Sequence, residues 1–200
     1  MGSPVTGLGR RSSIVRCVGR RVVLVCGAGY RFPVEPWISL STEVAADPDT
    51  VWKLISDLPR MGEFSPENVG GEWVAPATGP AVGARFRGNN RNGERMWWTR
   101  VRIVACEPGR EFTFDVRTPF GVRVSRWSYV ITPTPGGCRL TENWYRVGNW
   151  FIRRIMGPRV TGRQDRPGYN VSSIEHTLAA VKARAEHLRA ARTEPTTSLP

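Results

Sequence analysis

Long hydrophobic runs are missing from this sequence of 200 residues, although 40% of its residues are hydrophobic. No apolar run reaches the roughly 18 residues that a membrane-spanning helix needs, so we expect no stable membrane insertion. The hydrophobic content, which includes eight Trp, is too high for a disordered chain. The length therefore indicates one folded domain with a substantial core.

Cysteine and histidine are scarce. The four cysteines show no C-x-x-C spacing. We interpret Cys106 and Cys138 as reduced, partly buried thiols and expect a cytoplasmic protein. His176 and His187 are eleven residues apart, which is too far for the i, i+4 pair of a helical metal site, so we expect both to be solvent-exposed. Neither a phosphate-binding loop nor a dinucleotide-binding glycine pattern occurs. We predict no metal site and no cofactor.

Lysine is nearly absent, because the 29 basic residues comprise 27 Arg and 2 Lys. The formal net charge of +12 is typical of nucleic-acid-binding proteins. However, the segments 1–36 and 151–200 each carry a balance of +5, while residues 37–150 carry only +2. We interpret the excess of Arg over Lys as a coding bias and not as a phosphate-binding surface, and we expect no nucleic-acid partner. Binding through the basic flanks is the alternative.

The first 36 residues lie before the predicted domain and resemble a signal peptide in part. Arg20-Arg21 precede a short apolar stretch, as in a secretory signal peptide, but the stretch is short and lacks an Ala-x-Ala cleavage pattern. We interpret residues 1–36 as a flexible extension, or as the result of a start codon assigned too far upstream. An export signal is the less favoured alternative. The predicted domain spans residues 37–191. The polar tail, 192–200, is expected to be disordered.

The segment from residue 37 to residue 64 predicts a strand followed by two short helices. Residues 37–45 alternate between polar and apolar, which is typical of a half-buried strand. Asp47-Pro48 then provides an N-cap and a proline at the first helical position. Pro59 ends this helix, and a second short helix is predicted from Pro59 to Phe64.

The rest of the chain predicts six further strands and one long helix. Gly, Pro or Asn stands in each break between strands, as tight reversals require. Alternation separates an aromatic inner face from an Arg-bearing outer face, which we expect to be solvated. Apolar residues then recur at three- and four-residue steps from Val171 to Leu188. The predicted strands span 67–74, 84–91, 95–106, 111–118, 122–133 and 138–147. Together these elements predict an α+β fold, in which a seven-stranded antiparallel curved sheet wraps around a long C-terminal helix.

Six short segments connect the chain to a known family. They are Ala46–Trp52, Asp57–Glu67, Gly79–Gly88, Glu107–Phe112, Trp127–Tyr129 and Thr141–Trp144. In this order and spacing they resemble the polyketide cyclase/dehydrase and lipid-transport family of the START-like, helix-grip superfamily, the SRPBCC proteins. The resemblance implies the helix-grip fold and a hydrophobic pocket between the sheet and the C-terminal helix. It fixes no reaction, because members range from cyclases to carriers and stress regulators.

Glu142 is the main candidate for chemistry, with Tyr129 as its acid–base partner. By alternation Glu142 shares a face with Leu140 and Trp144 and points into the pocket, where desolvation would raise its pKa. The alternative is that Glu142 bonds an Arg or a backbone group near the strand end. The other predicted pocket residues are Asn90, Trp97, Thr99, Val101, Phe112, Phe114, Trp127, Trp144, Ile174 and Leu178.

Two further segments carry secondary predictions. The segment from Trp150 to Met156 is short, apolar and basic, and we interpret it as a lid with Trp150 and Phe151 over the pocket, or as a loop helix packed on the sheet edge. A membrane-touching patch is less favoured, and its Arg pair offers a contact for an acidic ligand. Glu63 and Glu67 are expected to lie at the surface or to cap a turn, with acid–base work as the alternative.

These features lead to three functional hypotheses. The first is a monomer or homodimer that binds a polyketide, lipid or aromatic metabolite and, if it is an enzyme, acts as a cyclase or dehydrase. The second is a non-catalytic lipid carrier or stress-response module. The third is nucleic-acid binding through the basic flanks.

Overall fold

A computed structural model of the chain describes residues 35–193. The interpretations of the N-terminal extension and of the last seven residues concern parts of the chain outside this range. The strands of the described range are β1 (Ile38–Val44), β2 (Asn68–Val74), β3 (Arg85–Asn92), β4 (Arg95–Glu107), β5 (Glu111–Arg117), β6 (Arg123–Thr134) and β7 (Gly137–Arg146). The helices are α1 (Pro48–Ser56), a 3₁₀ helix (Leu58–Glu63), a π-helix (Ile152–Met156), α2 (Gly157–Thr161) and α3 (Arg166–Thr193).

The strands form one antiparallel sheet in the order β1-β7-β6-β5-β4-β3-β2. Strands β2 to β7 follow one another as hairpins, while β1 pairs with β7 at the far edge. Helix α1 and the 3₁₀ helix cover the long connection from β1 to β2. Helix α3 packs against β1, β7 and α1. This is the predicted helix-grip fold, with seven strands curved around one long helix.

The first helix begins where the sequence predicts and ends at Ser56, before the predicted stop at Pro59. The Thr50 backbone N–H donates to Asp47 Oδ1 over 2.8 Å, and the Thr50 hydroxyl donates to Asp47 Oδ2 over 2.6 Å. Pro48 occupies the first turn, where its missing N–H costs nothing. The 3₁₀ helix follows after Asp57, with Pro59 in its first turn. This turn leads the chain away from α1 towards β2.

The hydrophobic core lies between the inner face of the sheet and the apolar stripe of α3. Ile174, Leu178, Val181 and Ala185 of this stripe are all buried. They recur at the three- and four-residue steps that bring side chains to one helix face. Phe112 is fully buried on the sheet side. The stripe therefore fixes how α3 sits on the sheet.

The outer face of the sheet is not solvated throughout, contrary to the prediction. Arg126 is buried there, and its Nε atom lies 2.7 Å from Asp115 Oδ1. Asp115 stands directly opposite Arg126 in the β5–β6 register, so the pairing of the strands brings the two charges together. Arg123 adds a contact of 3.4 Å to the same carboxylate. Within the described residues no helix is both long and apolar enough to span a membrane.

Candidate functional site

A cavity of about 420 Å³ opens between the inner face of the sheet and helix α3. Its walls come from β3 to β7, from the 3₁₀ helix and the turn after it, from the start of α3, and from the connection between β7 and α3. Pockets of a few hundred Å³ accommodate drug-sized molecules. The predicted pocket residues that line the cavity are Asn90, Trp97, Thr99, Val101, Phe114, Trp127, Tyr129, Glu142 and Trp144.

Three predicted pocket residues lie elsewhere. Phe112, Ile174 and Leu178 are buried in the core and do not line the cavity. The helix stripe to which Ile174 and Leu178 belong packs on the sheet, so the cavity faces a neighbouring side of α3. That side presents Asn170, Ser173 and Thr177, which the sequence analysis did not identify.

Glu142 and Tyr129 meet because their strands pair. They are directly opposite each other in the β6–β7 register, on the inner face of the sheet. The Tyr129 hydroxyl donates a hydrogen bond of 3.0 Å to Glu142 Oε1. Glu142 Oε2 is buried and has no hydrogen-bond partner within the described residues. One carboxyl oxygen is thus held by the protein, while the other is without a partner among the described residues.

Burial controls the protonation of this pair. Only 2% of Glu142 is exposed, and desolvation raises its pKa from 4.5 to about 8, against the opposing effect of the Tyr129 hydrogen bond. The pKa of Tyr129 is raised well above 10, first by burial and then by the neighbouring Glu142. At pH 7 Glu142 is therefore mainly a neutral acid. Because Oε1 accepts from Tyr129, the proton of Glu142 is placed on the unpartnered Oε2.

Asn170 is a second polar group left open in the cavity. It lies in the first turns of α3 and is only 1% exposed. Both of its amide atoms, Oδ1 and Nδ2, are buried without a partner in the described part of the chain. A buried amide without hydrogen bonds costs about 1–3 kcal/mol of stability. Such a group is expected where a ligand, and not the protein, provides the partner.

Glu67 belongs to the cavity wall, contrary to the prediction that it lies at the surface or caps a turn. It is buried, and both of its carboxylate oxygens accept hydrogen bonds from Arg166, over 2.6 and 2.5 Å. This bidentate pair joins the turn before β2 to the first residue of α3. Glu63 is exposed, as expected, and pairs with Arg60. The two glutamates therefore do not form a catalytic pair.

The segment after β7 forms the mouth of the cavity. Ile152, Arg153 and Arg154 line it, while Trp150 and Phe151 are 62% and 51% exposed and face away from it. The segment therefore lines the cavity through the residues that follow the two predicted aromatics, and its role as a lid stays a prediction. His176 and His187 are exposed on α3. Among the described residues, no three potential metal ligands cluster.

The sheet, the gripped helix and the cavity between them define a START-like domain that binds hydrophobic ligands. The chain belongs to the polyketide cyclase/dehydrase and lipid transport family, whose model matches residues 37–186. A search of the curated proteins finds no match to the chain.

Solved structures share the fold of the chain. The chain is similar to the Polyketide_cyc-like protein Cgl2372 from Corynebacterium glutamicum, at 29% identity and a TM-score of 0.54, over 79% of this chain and 96% of that one. It shares its fold with a START superfamily protein from Mycobacterium smegmatis, at 16% identity and a TM-score of 0.55, over 76% and 97%. It also matches half of the di-domain ARO/CYC StfQ from the steffimycin biosynthetic pathway, at 17% identity and a TM-score of 0.61, over 76% and 51%.

Proposed function

We propose that this protein binds a polyketide, lipid or aromatic metabolite that presents a hydroxyl or carbonyl group to Glu142 and Asn170. The observation that carries the proposal is that Glu142 and Asn170 place buried, unpartnered polar atoms in a cavity whose sheet side is built largely from aromatic and aliphatic side chains. Apolar walls bind the body of the ligand, and a few polar groups orient it. The free thiols Cys106 and Cys138 fit a reducing compartment, so we place this activity in the cytoplasm.

A cyclase or dehydrase activity is the second proposal, and the state of Glu142 favours it. A neutral carboxyl near pH 7 is able to donate its Oε2 proton to a ligand carbonyl, and its anion is able to accept a proton from an adjacent carbon. Tyr129 would hold the carboxyl in place through Oε1. Restraint of a flexible chain in the cavity would contribute further to the rate.

The binding proposal is tested by native mass spectrometry of the purified protein. A co-purified small molecule in the expected mass range of a polyketide, lipid or aromatic metabolite would support it. We expect the bound fraction to fall in a variant that fills the cavity, such as Ser173→Phe, because Ser173 lines it from α3. Ala179, exposed on the same helix, gives the control Ala179→Phe, which should retain the ligand. Equal occupancy in both variants would contradict a ligand in this cavity.

Replacing Asn170 by Leu is expected to stabilise the empty protein and to weaken ligand binding. The change removes two unpartnered buried amide atoms and leaves a side chain of similar size. We expect the free energy of unfolding to rise by about 1–2 kcal/mol, as measured by urea titration of ligand-free protein. Asn143→Leu on the outer face should leave ligand binding unchanged. A loss of stability in Asn170→Leu would show that the Asn170 amide stabilises the folded protein, which would contradict this prediction.

The enzymatic proposal is tested by Glu142→Gln, once the ligand is known. Gln keeps an oxygen to accept from Tyr129 but cannot transfer a proton. We expect turnover to fall about 100-fold or more, which is the usual contribution of a general acid or base, while the ligand still binds. Unchanged turnover would contradict the role of Glu142. Absence of any turnover by the wild type would favour the carrier or stress-response module.

Nucleic-acid binding is the remaining alternative, and it predicts a different behaviour. The basic excess lies in the segments 1–36 and 151–200. Deleting residues 1–36 and measuring salt-dependent DNA binding of the shortened chain separates the alternatives. DNA affinity that survives in the shortened chain would support the nucleic-acid alternative. We expect the shortened chain to show no such affinity.

A further inference from the structure

The mouth of the cavity is lined by arginines that have no partner of opposite charge in the described part of the chain. Arg146, Arg153, Arg154 and Arg163 all line the cavity. Within residues 35–193, none of these four takes part in an ion pair. They come from two places in the chain, the end of β7 and the connection to α3. Their convergence is therefore a product of the fold.

The acidic residues of the cavity do not balance this charge. Glu67 is already held by both nitrogens of Arg166. Glu142 is mainly neutral at pH 7, because burial raises its pKa to about 8. Asp165 also lines the cavity and accepts a hydrogen bond of 3.0 Å from the Gly168 N–H through Oδ1, but a single carboxylate offsets only one of the four guanidinium charges. A positive excess remains at the mouth of an apolar cavity.

Two of the arginines, Arg146 and Arg163, have surroundings that suit a bound anion. Burial and the neighbouring Arg153 both lower the pKa of Arg146, which indicates that like charges approach each other there. The Arg163 guanidinium stacks on the Tyr169 ring at 3.6 Å, and its Nε is buried without a partner. Stacking fixes the plane of a guanidinium and leaves its edge for bidentate contacts to an anion.

We propose that the ligand is an amphipathic anion, whose apolar body fills the cavity and whose carboxylate, phosphate or similar group lies among Arg146, Arg153, Arg154 and Arg163. This inference rests on the proposed binding function and adds the charge of the ligand to it. The anion lies at the mouth, while the hydroxyl or carbonyl of the same molecule reaches Glu142 and Asn170.

Two fluorescent probes test this inference. N-phenyl-1-naphthylamine is neutral, whereas 8-anilinonaphthalene-1-sulfonate carries the same two ring systems with an added sulfonate. The ratio of their dissociation constants isolates the contribution of the anion. We expect this ratio to shift about tenfold against the sulfonate in the double variant Arg153→Gln and Arg154→Gln, as loss of a charge-assisted contact implies.

The matched control is the double variant Arg100→Gln and Arg102→Gln. These arginines are exposed on β4 and lie outside the cavity wall, but their loss changes the net charge by the same amount. The ratio should stay within twofold of wild type in the control. An equal ratio in both double variants would overturn the inference while leaving the proposed binding function intact. Failure of the neutral probe to bind wild type would instead overturn the binding function.

Competition identifies the anion. Dodecanoate and dodecyl phosphate below their micelle concentrations, and dodecanol below its solubility limit, are tested for displacement of the neutral probe. We expect either of the two anions to displace it at concentrations at least tenfold lower than dodecanol does, and the better competitor distinguishes a carboxylate from a phosphate ligand. Displacement by dodecanol at the same concentration as by both anions would overturn the inference.

Discussion

Wild type is expected to lose stability as the pH rises from about 4.5 to about 8, and the Glu142→Gln variant is expected not to show this loss. The pKa of Glu142 is raised by burial from 4.5 to about 8 in the folded protein. In this window the folded state keeps the proton, while the unfolded state releases it. Folded protein then binds more protons, so the free energy of unfolding falls as the pH rises. The contribution is fully present below pH 4.5 and lost above pH 8.

The size of this effect should be a few kcal/mol, since each unit of pKa shift corresponds to about 1.4 kcal/mol. The measurement is urea unfolding of wild type and Glu142→Gln at pH 4.5, 6 and 9. We expect the stability of the variant relative to wild type to increase steadily across this series. Glu175→Gln changes an exposed glutamate of α3 and should follow wild type. A difference between wild type and Glu142→Gln that is constant with pH would contradict the raised pKa.

Replacing Arg126 by Met is expected to lower the free energy of unfolding by about 3 kcal/mol. The side chains of Arg126 and Asp115 are only 8% and 4% exposed, and they are 2.7 Å apart. Removing the guanidinium leaves a buried carboxylate with the weaker contact to Arg123. That contact, over 3.4 Å, is the reason that we expect the lower end of the usual range for a broken buried pair.

The chain contains a matched control for this prediction. Arg139 Nε and Glu43 Oε1 are also 2.7 Å apart, but their side chains are 56% and 57% exposed. Water screens this pair, so Arg139→Met should cost at most about 1 kcal/mol. Thermal or urea unfolding of both variants makes the comparison. Similar losses in the two variants would show that burial does not set the strength of the Arg126 pair.

The strands and their inner face followed from the sequence because period two is a local signal. Tyr129 and Glu142 each alternate with outward-facing neighbours, and the short turn between β6 and β7 places them opposite each other. The same signal could not reveal that Arg126 is buried. Its burial depends on Asp115, eleven residues earlier, which becomes its neighbour only through the β5–β6 pairing.

Some residues of the cavity wall could not be predicted because their positions depend on contacts distant in sequence. Glu67 lies in the cavity wall because Arg166, 99 residues away, holds it. Asn170, Ser173 and Thr177 recur at three- and four-residue steps beside the apolar stripe of α3. That spacing was the available signal for a polar cavity wall, but polar residues on a helix usually indicate solvent.

The remaining difference lies in the segment that lines the mouth. An interpretation based on residue type alone favours Trp150 and Phe151 as the covering residues. The helical segment instead buries Ile152 and leaves the two aromatics exposed. Residue type does not show which side of a short helical segment meets the cavity, because that depends on how the segment packs on the sheet.

The β3–β4 hairpin holds the end of the segment that covers the mouth. Asn92 Nδ2 donates to the Thr161 carbonyl over 2.7 Å, and an Arg95 nitrogen donates to the Arg159 carbonyl over 2.6 Å. Neither Asn92 nor Arg95 lines the cavity. For a molecule that leaves past α2, these two bonds must break first, and together they contribute about 1–3 kcal/mol. Under the proposed binding function, we expect this surface hairpin to lengthen the residence time of a ligand that it never contacts.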